Sequence, residues 1–206
     1  MQNTLISCYA ECLTSVSFHS FGTATQCTDD PLCDLSAAVG LTPSGWECTR
    51  GQPVSNKCAW TGITCTGESV TDISLSSRNL QGSLPTSIGL LTSLTQLHLM
   101  SNSFTGSLPT SIGLLTSLSY LNVYTNSFTG SLPTSIGLIS SLSYLILQYN
   151  SFTGIVPESL CDPPLSSIFL QNTLISCYPE CLTSVSSRNF GTAPQCTDDP
   201  LCDLSA

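Results

Sequence analysis

Leu94–Ser117 reads LTQLHLMSNSFTGSLPTSIGLLTS, and Leu118–Ser141 reads LSYLNVYTNSFTGSLPTSIGLISS. From Leu142 the phrase starts again as LSYLILQYNSFTGIVPESL, and Val70–Ser93 (VTDISLSSRNLQGSLPTSIGLLTS) is a fourth, more divergent copy. A fixed 24-residue period of this kind is the signature of one supersecondary unit stacked on itself into a solenoid. Such a fold presents a surface rather than enclosing a pocket, so binding is expected ahead of catalysis.

Inside each repeat the opening stretch alternates apolar and polar residues, as a half-buried strand does. Leu94, Leu97 and Leu99 are predicted to point inward, with Leu118, Leu121 and Val123, and Leu142, Leu145 and Leu147, in the next turns. Stacked strands would lie roughly 4.8 Å apart in parallel ladders. Asn102, Asn126 and Asn150 follow, placed to satisfy backbone groups where the strand turns away. Phe104, Phe128 and Phe152 read as core, and Gly106, Gly130 and Gly154 as tight bends. Leu-Pro at 84–85, 108–109 and 132–133 reads as an extended side, and Ile88, Ile112, Ile136 and Leu160 close the core on the far side. The Gly-x-Leu-Pro segment leaves room there for irregular chain or short 3₁₀ turns, not for a long helix. A lone repeat cannot bury its own apolar face, so stability depends on neighbours and capped ends.

Charge is scarce and unevenly placed. Formal net charge is -9, only four residues are Lys or Arg, and no Asp, Glu, Lys or Arg occurs between Asn79 and Pro157. The basic footprint that nucleic acid or an anionic membrane surface requires is missing. No apolar run reaches the roughly 18 residues of a membrane span, and no signal peptide is visible. The body of the solenoid is left to recognise a partner by shape, aromatic contact and neutral hydrogen bonds.

Twelve cysteines flank the regular repeats, which points to an oxidising compartment, extracellular or at the cell surface. The spacings Cys8/Cys12, Cys27/Cys33, Cys58/Cys65 and Cys177/Cys181 include no C-x-x-C, and only two histidines are present, so a zinc site is not expected. Cys58–Cys65 is the one disulfide that reads directly; such a staple would hold Trp60 over the exposed end of the first strand. Cys161 has two candidate partners, Cys177 and Cys181.

Gln2–Ala37 reappears as Gln171–Ala206 with five differences, at an offset of 169 residues. One account is a tandem array of modules of that length; the other is a pair of genuine end caps on one small protein. On the first account, residues 1–34 are a partial C-terminal cap of a preceding module, expected to pack poorly. Residues 35–69 then form a Cys-rich N-terminal cap, 70–164 four repeats, and 165–206 a degenerate repeat with a Cys-rich C-terminal cap.

The repeat L-x-x-L-x-L-x-x-N-S-F-T-G-S-L-P-T-S-I-G-L-L-x-S resembles the plant-type leucine-rich repeat. Trp46, Cys58-Ala-Trp60-Thr-Gly-Ile-Thr-Cys65 and Val70-Thr-Asp-Ile-Ser-Leu resemble the N-terminal cap of that class. Ser159-Leu-Cys161 and Cys177-Tyr-Pro-Glu-Cys181-Leu resemble its C-terminal repeats. The likeness covers about residues 35–182 and leaves the Cys-rich segment 183–206 outside. It implies an α/β-type solenoid, a right-handed superhelix with parallel short strands on the concave face. It also implies a receptor-like ectodomain. The short array, the lack of an N-x-S/T sequon and the duplicated caps are closer to protist, kinetoplastid-like surface antigens.

Catalysis finds little footing, since His98 is the only titrating imidazole in the repeats and no acid stands in its own repeat or the one that follows. No cofactor is implied. The candidate ligand face is the set of outward strand positions: Gln96, Tyr120 and Tyr144; then His98, Asn122 and Ile146; then Met100, Tyr124 and Gln148, with Tyr149 at the edge. Aromatics on a rigid, uncharged sheet suit a protein, peptide or glycan partner. The other classes are a coat protein whose repeats are spacers, and an ice- or glycan-surface binder using the Ser/Thr-rich sides.

Overall fold

The computed structural model describes residues 30–39, 45–49, 51–53 and 55–196. The chain opens with α1 (Pro31–Ala38). Two short pairs follow: β1 (Cys48–Thr49) antiparallel to β2 (Gln52–Pro53), and β3 (Ile63–Thr66) antiparallel to β4 (Ser69–Ser74). From β4 onward each turn gives one strand to each of two parallel sheets. The second sheet begins with β5 (Gln81–Ser83), and the main sheet continues with β6 (Gln96–His98). The alternation runs on through β7 (Ser103–Gly106), β8 (Tyr120–Asn122), β9 (Ser127–Ser131), β10 (Tyr144–Ile146) and β11 (Ser151–Ile155). It closes with β12 (Ser167–Phe169), β13 (Leu174–Cys177) and β14 (Ser187–Asn189). The main sheet has the order β14-β12-β10-β8-β6-β4-β3 and the second β13-β11-β9-β7-β5.

The parallel solenoid is as expected, and the inward leucines of the three central repeats are wholly buried. Phe104, Phe128 and Phe152 stack through the core, with centroids 5.8 and 5.9 Å apart. Each buried aliphatic contributes about 1.5–3 kcal/mol. The far side is built from 3₁₀ turns, among them Thr86–Leu90, Thr110–Leu114 and Thr134–Leu138, each entered from a proline. Leu90, Leu114 and Leu138 form an exposed row there. The second sheet was not foreseen. Its strands fall on S-F-T-G, where one alternation too short to read as a strand buries Phe and exposes Ser and Thr.

Asparagine closes the bend of each turn. Asn126 Oδ1 accepts from the Phe104 amide at 3.0 Å, while its Nδ2 donates to the carbonyls of Leu99 (2.9 Å) and Val123 (3.1 Å). Asn150 repeats the pattern with Phe128, Val123 and Leu147, and Asn102 with Leu80, Leu75 and Leu99. In the last full turn Thr173 stands in the asparagine position and donates to Leu170 O at 2.6 Å.

A second ladder locks the 3₁₀ side. Ser135 Oγ donates to Thr110 O at 2.6 Å, and a Cβ on Gly113 would collide with Ser135 O. The same contact recurs at Gly89 with Ser111 and at Gly137 with Ser159. Ser87, one turn earlier, has a buried Oγ without a partner, because α1 stands where a preceding repeat would offer its carbonyl.

Residues 30–34, placed by the sequence reading in the segment that precedes the N-terminal cap, pack with that cap. Asp30 caps α1 by accepting from Leu32 N at 2.9 Å, Pro31 takes the first turn, and Asp30 also pairs with Lys57 at 2.8 Å. Leu32, Cys33 and Leu35 are buried in the common core, so residues 30–34 belong to this cap. The expectation of loose packing for the remainder, residues 1–29, lies outside the described residues. Cys33–Cys48 ties α1 to β1, and Cys58–Cys65 forms as read. Trp60 is 3% exposed and tilted against Trp46 at 5.2 Å. At the other end Cys161 pairs with Cys181, and Cys177 with Cys196.

We expect Asn126→Ala to leave the Phe104 amide without its acceptor, while the Leu99 and Val123 carbonyls keep Asn102 and Asn150 as donors, and to cost about 1–3 kcal/mol in a urea denaturation series. Gly113→Ala, which drives a methyl into a neighbouring carbonyl, is expected to cost about 1–3 kcal/mol in the same assay, although alanine is the better helix former.

Candidate functional site

The outward positions of the main sheet fall into the columns expected of them. β6, β8 and β10 pair in register, aligning Gln96 with Tyr120 and Tyr144, and His98 with Asn122 and Ile146. Ser101 N donates to Tyr124 O, Thr125 N to Gln148 O and Tyr149 N to Gln171 O, so Met100, Tyr124, Gln148 and Gln171 make a third column. Asp72 heads the first column, opposite Gln96.

The aromatics of this face touch one another. His98 lies 4.7 Å from Tyr120, and Tyr120 lies 5.4 Å from Tyr144. Tyr124 meets Tyr149 edge-on at 5.3 Å. Tyr144 and Tyr149 are 43% and 48% exposed, whereas Tyr120 and Tyr124 are half-buried. Two groups of rings therefore sit on the sheet, His98–Tyr120–Tyr144 across the first two columns and Tyr124–Tyr149 at the third column and its edge, each ring in contact with a neighbour.

The other predicted residues divide. Gln96 is exposed and its Oε1 lies 3.0 Å from His98 Nε2, which makes that nitrogen the donor of the neutral ring. Met100, Ile146 and Gln148 are half-buried. Asn122 is buried at 6% exposure and turned inward on its own turn, its Oδ1 accepting from Tyr124 N at 3.0 Å. It braces Tyr124 more than it offers itself to a partner. Cys58 and Cys65 stand apart, in the cap.

Two residues of this face escaped the sequence reading. Phe169 continues the second column through its pairing with Ile146, and Gln171 continues the third. The signal was present: Leu165-Ser-Ser-Ile-Phe-Leu-Gln171 aligns position by position with Leu142-Ser-Tyr-Leu-Ile-Leu-Gln148. Tyr149 carries a further peculiarity. Its φ is +58°, in the left-handed region, where the equivalent residues are Ser77, Ser101, Thr125 and Asn172.

Elsewhere the surface offers less. A shallow depression of about 510 Å³ lies between the end of α1 and the second sheet, lined by Ala37, Gln81, Ser103, Thr105 and Ser127 among others, with no titrating or aromatic side chain. Among the described residues no cluster of His, Cys, Asp or Glu could hold a metal ion, and no helix is long and apolar enough to cross a membrane.

Residues 93–115, 117–139 and 141–163 each match the family model of the Leucine Rich Repeat. These are leucine-rich repeats. The chain is 33% identical over 84 residues to the receptor-like kinase TMK4 of Arabidopsis thaliana, a match covering 40% of this chain and 8% of that protein's length. It thus spans only a small part of that kinase. Its fold is similar to the leucine-rich-repeat ectodomain of the receptor kinase SOBIR1 from Arabidopsis thaliana. That match has a TM-score of 0.61 and 25% identity, and covers 69% of this chain and 87% of the other. It is also similar to the plant peptide hormone receptor RGFR1, in a structure with RGF2, with a TM-score of 0.56 and 27% identity over 59% of this chain and 20% of that one.

Burial pushes the His98 imidazole below its ordinary value of 6.5, against the opposing pull of the Asp72 carboxylate. The unfolded chain then binds the proton first. This histidine's contribution to stability is full above 6.5 and is lost as pH falls through the lowered value. We expect an NMR titration of the His98 ring to give a midpoint under 6.5. Asp72→Asn should lower it further, and His98→Gln should remove that part of the pH dependence of unfolding.

Proposed function

We propose that this chain is an extracellular, non-enzymatic recognition module that binds a peptide segment across the outer face of its main sheet. The observation that carries the reading is the double row of exposed and half-exposed rings, His98–Tyr120–Tyr144 and Tyr124–Tyr149, on a sheet otherwise free of charge over three repeats. Rigid aromatics lose little conformational freedom on binding and dominate interface energies. An extended peptide suits a face only a few strands across. The resemblance to receptor ectodomains, one of them named as a peptide hormone receptor, supports the same class of partner. Four disulfides among the described residues fit an oxidising, extracellular setting.

The duplicated flanks favour a tandem arrangement around this module. Asp30–Ala37, which supplies the cap of α1 and nearly all of that helix, has the same sequence as Asp199–Ala206. The cap-forming phrase thus occurs twice in one chain. Linked modules would raise the effective concentration of neighbouring sites.

The test is selection of binders from a random displayed peptide library against the disulfide-intact chain. Tyr120→Ala with Tyr144→Ala is expected to weaken the selected peptides by roughly 30-fold or more, since interface aromatics commonly cost about 2 kcal/mol or more each. Thr86→Ala with Thr110→Ala, on the 3₁₀ side, should leave binding unchanged. Peptides indifferent to the tyrosine pair and lost on the threonine changes would overturn the reading. Repeated failure to select any peptide would favour a coat protein whose repeats are spacers.

A further inference from the structure

The third column of the main sheet ends in two glutamines whose chemistry is unbalanced. Gln148 Oε1 and Gln171 Oε1 are both shielded from solvent, and neither meets a donor within the protein. They stand on adjacent turns of the solenoid, since Tyr149 N donates to Gln171 O. A buried carbonyl oxygen without a donor is costly, and two side by side are rare enough to need a reason. Rotation about the terminal torsion, which is soft for an amide, moves either oxygen without disturbing the rest of the side chain.

The neighbours of these amides are rings. Tyr124 precedes Gln148 in the column, and Tyr149 follows it in the chain, the two rings meeting at 5.3 Å. Tyr149 holds a left-handed backbone conformation that its bulk makes unfavourable, at a position where other turns use Ser, Thr or Asn, and its ring is 48% exposed. Nothing in the packing of the repeat requires a ring there. A strained conformation kept for an exposed aromatic points to use of that aromatic.

Charge narrows the partner further. No Lys or Arg occupies any outward position of the three columns, while Asp72 stands at the head of the first. An anionic group on a ligand would find no counter-charge, whereas a cation would find two carbonyl oxygens and two ring faces. The chain as a whole carries -9. Guanidinium is donor-only, planar and weakly hydrated, and it stacks on tyrosine.

We infer that Tyr124, Gln148, Tyr149 and Gln171 form a subsite for a cationic side chain of the bound peptide, an arginine in the first instance. The two amide oxygens accept from its N–H groups, and the rings pack against its plane. This deepens, and rests on, the reading of the same face as a peptide site.

The probe is Nα-acetyl-arginine amide, titrated into the isotopically labelled, disulfide-intact chain and followed by NMR, with the citrulline and glutamate analogues alongside. Saturable shifts are expected at the side-chain amides of Gln148 and Gln171 and at the Tyr149 ring, with the citrulline analogue at least about fivefold weaker and the glutamate analogue inert. Gln148→Leu with Gln171→Leu should abolish the arginine shifts while leaving Tm unchanged or raised, because each change removes an acceptor that lacks a partner. A fall in Tm would show that these oxygens are structural, and equal response to citrulline would show ring contact alone; either result overturns the subsite. If the arginine amide produces no shifts while selected peptides still depend on Tyr120 and Tyr144, the subsite is wrong and the peptide face stands. If the shifts appear but selected peptides ignore the tyrosine pair, the subsite stands and the wider reading falls.

Discussion

Everything in this molecule depends on what happens to the backbone where each strand leaves the main sheet. The chain must turn inside the core, away from water, and its amide and carbonyl groups still need partners. Asn102, Asn126 and Asn150 supply them, each joining carbonyls of its own turn to groups of the turn before. A side chain with both a donor and an acceptor on one rigid plane can do this; an acid or a lysine, with one kind of group only, cannot. Because each asparagine reaches into the preceding turn, the ladder also fixes the register of one repeat upon the next.

That register is what frees the outer face. With leucine inside and the bend satisfied by asparagine, the outward positions of the main sheet carry no structural duty beyond tolerating an extended backbone. Rings can therefore accumulate there, Tyr120 over Tyr144 in one column and Tyr124 against Tyr149 at the edge of another, at contact distances set by the stacking of the sheet. The scaffold provides the spacing, and the variable positions provide the chemistry. Where the outer face does make internal contacts, as when Asn122 accepts from Tyr124 N, it stiffens a ring rather than replacing one.

Period and patterning made the core, the asparagine ladder, the short 3₁₀ side and the aromatic columns legible in the sequence, since all of them repeat. What escaped reading was what does not repeat, or what repeats too briefly. The S-F-T-G strands of the second sheet are shorter than the alternation needed to recognise a strand. Helix α1 occurs once among the described residues, and its start was obscured by a duplicated segment that runs through Asp30 without a break. Pairing of Cys161 with Cys181 and not Cys177 depends on the packing of the 3₁₀ turn Glu180–Ser184 against Glu158–Cys161, a fact of three-dimensional placement. Gln171 and Phe169 were missed because loss of the asparagine, replaced there by Thr173, made the last turn look degenerate although its strand is intact.

The glycine–serine contacts of the 3₁₀ side bear on how such a chain changes length. Gly89, Gly113 and Gly137 each receive the next turn's serine carbonyl in the same way. Any internal turn therefore presents to its successor the surface that its predecessor presented to it. Duplicating or deleting one such unit creates no junction that the molecule does not already contain. Growth by copying is thus close to neutral for folding, while it adds another row of outward positions free to diverge. The number of turns becomes a quantity that selection can tune separately from the identity of the residues they display.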